Sequence, residues 1–235
     1  MKKYIGTKQI EAEPMIMGAA YAEGLLQAGR VPTEAERLKP GFKVRYEGGY
    51  TSWSPEEAFN QAYRIAETPL DRMVIEGDDL NEKAVKLVKF IESDKFQELD
   101  SYMQALLIVQ FSLMKKYWSV LNYRSERMKG SEDKATGFSF GEAIELLKAG
   151  FVVRRSGWNG KGLSVFKQVP AHIGSDIIPK MQSLPQRAKD LILEKKGFID
   201  YTSQCLIYNE ATGRADSWVP SISDIFAEDW EVVFN

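Results

Sequence analysis

The sequence predicts an α+β protein. A small antiparallel-sheet domain with short helices forms its C-terminal part, an α-helical hairpin its centre and a small α+β module its N-terminal part. Three observations carry this prediction. Apolar residues recur at helical spacing from about 69 to 130. On both sides of that stretch, short alternating or β-branched runs end in glycine, proline or asparagine. Lys129-Gly130-Ser131-Glu132-Asp133-Lys134 is polar, has no period and reads as a linker. The expected division is therefore 1–68, a helical hairpin over 69–130, a linker over 131–136 and a ligand-binding domain over 137–235.

Each element has a local reason. Residues 18–29 read as a short helix, and Pro32 and Lys39-Pro40-Gly41 punctuate the loop after it. Phe42-Lys43-Val44-Arg45-Tyr46 alternates apolar and charged residues as a strand does. Gly48-Gly49 turns it into Tyr50-Thr51-Ser52-Trp53, which completes a hairpin. Ser54-Pro55-Glu56-Glu57 starts a helix with Ser as cap, Pro in the first helical position and acids at the positive end of the dipole. It is expected to run past Phe59, Tyr63 and Ile65 to a stop at Thr68-Pro69.

Asp79-Leu80-Asn81 opens the next helix, with Leu80, Ala84, Leu87, Val88 and Ile91 on one face. Ser93-Asp94 breaks it, and Phe96 and Leu99 pack the connection. The second helix, about 101 to 128, carries two stripes. Leu107, Phe111, Met114, Trp118 and Leu121 form one, and Leu106, Val109, Leu113, Tyr117 and Val120 the other. One antiparallel partner helix covers a single stripe, so the second is expected to pack on another domain or a second copy of the chain.

In the C-terminal segment Ser139 caps a helix over 141–149, which Gly150 ends. Strands are expected at 151–155, 163–166, 199–201, 205–208 and 230–234, with a helix over 184–193. A turn spans 209–213, and a short helix lies near 223–227. The stretch through Pro170, His172 and Pro179 is irregular. A faint internal repeat is also present: Leu25-Leu26-Gln27-Ala28-Gly29 echoes Leu146-Leu147-Lys148-Ala149-Gly150. In the same order, Ser52-Trp53-Ser54-Pro55 echoes Ser217-Trp218-Val219-Pro220.

Composition removes several classes of function. The chain has 235 residues, and its 44% hydrophobic and 27% charged content is ordinary for a soluble globular protein. Net charge is −2 with mixed signs throughout, which argues against DNA, RNA or a membrane as partner. The lone Cys205 excludes an internal disulfide framework and a cysteine-rich metal site, and the lone His172 excludes a site built on several histidines. No apolar run reaches the roughly 18 residues that span a bilayer. Met1-Lys2-Lys3 lacks the apolar core of a signal peptide. The expectation is a cytoplasmic protein without a cofactor or metal.

Two motifs near the C-terminus carry chemistry. One is Arg154-Arg155-Ser156-Gly157-Trp158-Asn159-Gly160-Lys161-Gly162. The other is Asp216-Ser217-Trp218-Val219-Pro220-Ser221-Ile222-Ser223-Asp224, which runs on to Ala227-Glu228-Asp229-Trp230. Trp158 and Trp218 each sit among turn-formers with no helical or strand stripe to join, so partial exposure is expected. A half-exposed indole beside cations and backbone amides suits a nucleotide: the ring stacks on the base and polar groups meet phosphate and ribose.

The candidate ligand-binding residues are Trp158, Asn159, Gly160, Lys161, Arg155, Asp216, Trp218, Pro220, Ser221 and Asp224. Each has a purely structural alternative. Trp158 can end a strand in the core, and Asn159 can simply occupy a left-handed turn. Lys161 and Arg155 can be solvated charges, although a pyrophosphate needs such cations. Asp216 and Asp224 can be caps, or they can hold ribose hydroxyls. Pro220 fixes the loop, and Ser221 offers a hydroxyl and an amide. Trp230 alternates with Val232 and Phe234 and is assigned to the core. Trp118 is read as core or interface, Trp53 as structural and His172 as a loop histidine.

Through Gly141-Glu142-Ala143, Leu147-Lys148-Ala149-Gly150, Gly157 to Gly162, Trp218-Val219-Pro220-Ser221, Asp224 and Ala227-Glu228-Asp229-Trp230, the segment 138–234 closely resembles a phage family. That family is the second type of Thoeris anti-defence protein; here an insertion-like stretch falls at about 168–197. The resemblance implies a sponge, a non-enzymatic protein that captures a glycocyclic ADP-ribose immune signal. It implies a homotetramer holding ligand between subunits, with the paired tryptophans of these motifs sandwiching the base. Some members also take up cyclic dinucleotides at a separate site. Residues 70–128, through Leu80, Leu87, Phe90-Ile91, Ser93, Phe96, Leu99 and Gln104-Ala105-Leu106-Leu107, look like the helical-hairpin domain of phage sponges against cyclic-oligonucleotide (CBASS) and Thoeris signals. Those sponges assemble through their hairpins. Met1-Lys2-Lys3-Tyr4-Ile5-Gly6-Thr7-Lys8 resembles the start of many phage proteins.

Hydrolysis would need a positioned base together with a metal or nucleophile, and no motif of that kind is recognisable. The expected function is therefore binding without turnover, in the cytoplasm of the infected host. The alternatives are a sponge for CBASS cyclic di- or trinucleotides and a phage structural or assembly protein.

Overall fold

A computed structural model describes residues 9–160 and 162–234. The opening Met1–Lys8 and the candidate Lys161 lie outside the described residues. The chain forms two compact units divided after Ser125. The architecture is mixed α+β, with a helical hairpin and antiparallel sheets.

The first unit opens with strand β1 (Ile10–Pro14) and helix α1 (Met17–Ala22). The hairpin of β2 (Gly41–Tyr46) and β3 (Thr51–Pro55) follows, then helix α2 (Glu56–Ala62). All pairing in the β1-β2-β3 sheet is antiparallel, with Ala12 opposite Val44 and Lys43 opposite Trp53. Trp53 Nε1 donates to the Met15 carbonyl at 2.8 Å, and Phe42 stacks on Phe59 at 4.0 Å. Trp53 is thus structural.

Three expectations need correction here. The predicted 18–29 helix stops at Ala22, and Gly24 and Gly29 then take positive φ. Strand β1 was not anticipated: Ile10-Glu11-Ala12-Glu13-Pro14 does alternate, but over only five residues and ending in proline. Helix α2 begins after Pro55 rather than after a Ser54 cap and ends at Ala62, with Tyr63 extended.

Helix α3 runs from Pro69 to Ile91, starting ten residues before Asp79. Thr68-Pro69-Leu70-Asp71 is not only a stop but also a start. The Asp71 amide donates to Thr68 Oγ1 at 3.1 Å, the Thr68 amide donates to the Asp71 carboxylate at 2.8 Å, and Pro69 takes the first position. A short α4 (Asp94–Gln97) leads into α5 (Ser101–Met128), whose bounds match expectation. Gln104 Nε2 holds the connection by donating to the Phe96 and Leu99 carbonyls at 3.1 and 3.0 Å. Tyr117 donates to Glu76 across the hairpin. Of the two α5 stripes, Leu107, Phe111, Met114 and Leu121 are half-buried or buried. Leu106, Val109, Leu113, Tyr117 and Val120 are 36–62% exposed. Trp118 is at the exposed margin. No helix among the described residues is long and apolar enough to cross a membrane.

In the second unit α6 (Phe140–Lys148) begins after Ser139, whose amide and hydroxyl both donate to the Glu142 carboxylate, at 2.8 and 2.9 Å. Gly150 ends it in the left-handed region, φ +89°. Strands β4 (Val153–Arg155) and β5 (Leu163–Lys167) follow. The insertion-like stretch builds β6 (Ala171–Ile173), a single 3₁₀ turn (Ile178–Lys180) and α7 (Gln186–Lys195). It returns through β7 (Ile199–Tyr201), which pairs with β6. His172 lies opposite Asp200 on this ribbon, with Nδ1 2.6 Å from the carboxylate, and is exposed.

Strands β8 (Cys205–Asn209) and β9 (Arg214–Trp218), helix α8 (Ile222–Ile225) and β10 (Trp230–Val232) complete the unit. The five-stranded antiparallel sheet runs β10-β4-β5-β8-β9. Its core gathers Ala143, Leu147, Val153, Val165, Ala227 and Trp230, and Trp230 is 0% exposed. The three-stranded sheet of the first unit has another topology, so the echo between the two segments is not a structural repeat.

Candidate ligand-binding site

Both motifs are built around Trp230. Register places Trp230 on β10 opposite Arg155 on β4, which brings the ends of the two motifs together. The Trp158 ring meets Trp230 edge to face at 5.5 Å and 76°, and the Trp218 ring meets it at 6.0 Å and 77°. Phe140 fills in beside Trp218 and Trp230, at 6.5 and 5.8 Å. Offset and edge-on geometries are those the aromatic quadrupole favours. Both flanking tryptophans are half-buried and pack on the core cluster.

Trp218 is not in a loop as the sequence suggested. It ends strand β9, opposite Cys205, and the strand escaped notice because Arg-Ala-Asp-Ser offers only one small apolar residue and lies at a sheet edge. Trp158 does follow a turn at Ser156-Gly157, but that turn lays the ring partly against the core instead of projecting it freely.

A charged network ties the motifs together. Arg155 Nη1 donates to Asp224 Oδ1 at 2.9 Å, and its Nε donates to Asp229 Oδ1 at 2.7 Å. The Gly157 amide donates to Asp229 Oδ2 at 2.9 Å. Trp158 Nε1 donates to Asp224 Oδ1 at 3.1 Å. The other carboxylate oxygen of Asp224 accepts from the Ser221 amide and hydroxyl, at 2.9 and 2.7 Å, which starts α8. Asp224 is therefore a cap, an ion-pair partner and an indole acceptor at once.

Burial alone would push the Asp224 carboxyl up. Hydrogen bonds from Arg155, Ser221 and Trp158 overcome that and hold it at about 2. Asp229 is lowered chiefly by Arg155, and the Arg155 guanidinium is raised by Asp229 and then Asp224.

Arg155, Trp158, Ser221 and Asp224 are thus joined directly, and Trp218 joins them through Trp230. Pro220 is half-buried, while Asn159 and Gly160 are exposed just after the Trp158 turn. Asp216 stands apart from the network. It is exposed on β9 and paired with Arg214 at 2.7 Å. Arg154 is paired with Glu231 at 2.6 Å. Asp229, which is not among the candidate residues read from the sequence, is central to the network. Its only local signal is adjacency to a core tryptophan. Apolar side chains rim the second motif, with Val219 and Phe226 82% and 81% exposed and Ile222 also exposed. Two open clefts, of about 410 Å³ over Ile10, Arg45 and Tyr46 and about 330 Å³ beside Trp53, lie in the first unit and are lined by residues of neither motif.

Residues 138–233 match a family model described as the Thoeris anti-defense 2-like domain, and residues 67–127 match one described as Sequestin. A Bacillus phage SP01 protein, Thoeris anti-defense 2, is 35% identical over 103 residues, an alignment covering 42% of this chain and 97% of that protein. With nearly the whole of that relative covered by this chain, the chain belongs to the Thoeris anti-defence 2 family.

Proposed function

We propose that this protein is an anti-defence sponge: it binds a cyclic nucleotide immune signal of the glycocyclic ADP-ribose type and withholds it, uncleaved, from the Thoeris effector in the infected host's cytoplasm. The observation that carries the reading is the pair of half-buried indoles, Trp158 and Trp218, held edge-on to one buried Trp230. Fixed aromatic faces bind a base with little ordering cost, and stacking contributes about 1–3 kcal/mol per base. The Asn159-Gly160 turn and Ser221 supply neighbouring polar groups for ribose and phosphate. The anti-defence name of the phage SP01 relative agrees with this function.

Self-association belongs to the same proposal. The exposed Val219, Ile222 and Phe226 beside Trp218 suit a second copy closing over the ligand, with a tetramer as the favoured assembly. The exposed α5 stripe offers a second self-association surface.

Uptake tests the proposal directly. The protein is incubated with a panel of glycocyclic ADP-ribose and cyclic di- and trinucleotides and separated from free ligand, then heat-denatured. Depletion followed by intact release of the ADP-ribose signal is expected. A chemically altered product indicates an enzyme, selective release of a cyclic oligonucleotide indicates a CBASS sponge, and no depletion of any nucleotide overturns the reading in favour of a structural role.

A further inference from the structure

The sequence offers Arg155 and Asp224 as groups for ligand phosphate and ribose, but their bonding geometry gives them other work. We infer that Arg155, Asp224 and Asp229 are positioning residues, a charged clasp that sets the Trp158 indole and the Trp218–Ser221 segment in register before ligand arrives. The inference rests on the binding role proposed for the two tryptophans and deepens it.

The geometry is specific. Arg155 bridges two carboxylates with different nitrogens. One carboxylate, Asp229, grips the backbone of the turn that presents Trp158, through the Gly157 amide. The other, Asp224, holds the indole N–H of Trp158 with one oxygen and, through Ser221, the end of the Trp218-Val219-Pro220-Ser221 segment with the other. All three side chains are largely withdrawn from water, at 16%, 8% and 30% exposure for Arg155, Asp224 and Asp229. A guanidinium shared by two carboxylates leaves little of its charge for a phosphate. Residues 155–158 and 221–229 are far apart in the chain, and this network with the β4–β10 pairing is what joins them. Gly157 shows how close the fit is: a Cβ there would stand 2.5 Å from Asp229 Oδ2.

The test reads the indole N–H signals of the ligand-free protein by N–H correlation NMR, assigned with Trp→Phe variants, alongside affinity for glycocyclic ADP-ribose. Asp224→Asn is nearly isosteric, and the Trp230 signal, whose N–H donates to the Asp224 backbone carbonyl, reports that the fold is kept. In that variant the Trp158 signal shifts without ligand and affinity falls about tenfold or more. Asp229→Asn frees the Gly157 amide and gives a smaller loss in the same direction. Arg155→Lys, which can serve one carboxylate but not both, restores part of what Arg155→Ala loses.

Affinity that falls while the Trp158 signal stays in place overturns the inference, because Asp224 then touches ligand directly. A signal that moves with affinity unchanged also overturns it. Failure of the underlying function is distinguishable: the wild-type protein then takes up no nucleotide although the substitution still shifts the Trp158 signal.

Discussion

At Asp224, withdrawal from water opposes the negative charge, and three donors favour it. The donors win, so the carboxyl sits at about 2 rather than at its ordinary 3.8. A carboxyl lowered by folding adds stability above its unfolded pKa and loses it as pH falls through the folded value. The contribution is about 2 kcal/mol, full above roughly pH 4 and fading towards roughly pH 2. Denaturant titrations at several pH values in that window will show the wild type losing about 2 kcal/mol more than Asp224→Asn over the same descent. Parallel curves would disprove the coupling. Trp158→Ala and Trp218→Ala each remove one stacking face, so calorimetry will record roughly a ten- to hundredfold weaker ligand affinity for each, with the oligomer unchanged. Trp230→Ala acts differently. The ring is buried in the core, and its loss costs about 3–5 kcal/mol of stability, visible as a lowered melting temperature.

Among the elements, α5 separates two kinds of apolar position on one helix. Leu121 is 2% exposed, and Leu121→Ala will cost about 2–5 kcal/mol in a chemical melt. Leu113 is exposed on the other stripe. Leu113→Glu will leave the melt nearly unchanged, while light scattering detects a smaller assembly; an unchanged mass would mean that this stripe covers nothing. The same helix was fully legible in the sequence, because a 3.6-residue apolar period over seven turns has no rival explanation. The start of α3 was not, since Thr-Pro reads equally as the end of one helix and the cap of the next. Strands β1 and β9 were missed for a related reason. Both are short edge strands rich in charge and poor in large apolar residues, so their side-chain signal is weak while backbone pairing holds them.

At the scale of the molecule, the α+β class and the two C-terminal motifs could be read from local patterns. The assembly of the site could not. Arg155 and Asp229 stand far apart in the chain, and only the antiparallel β4–β10 register makes them neighbours. The clasp was invisible because Arg155 alone looks like a solvated charge and Asp224 alone like a cap. The division after Ser125 and the match of the family model to 138–233, inside the second unit, lead to a further expectation. A fragment beginning at Ser131 will fold and take up ligand with an affinity within about threefold of the full chain, since additivity holds between independent parts. The number of copies in its assembly will fall if the α5 stripe contributes to assembly. A fragment that folds but binds nothing would place part of the site in the first unit.

The sharing of one guanidinium between two carboxylates bears on how such a protein works amid abundant competitors. Ordinary adenine nucleotides advertise themselves by phosphate charge, and a cation already satisfied on both sides gives them little reason to stay. Under the proposed sponge function, discrimination then passes to ring shape and hydroxyl placement, features in which a rare cyclised messenger differs from the common metabolites around it.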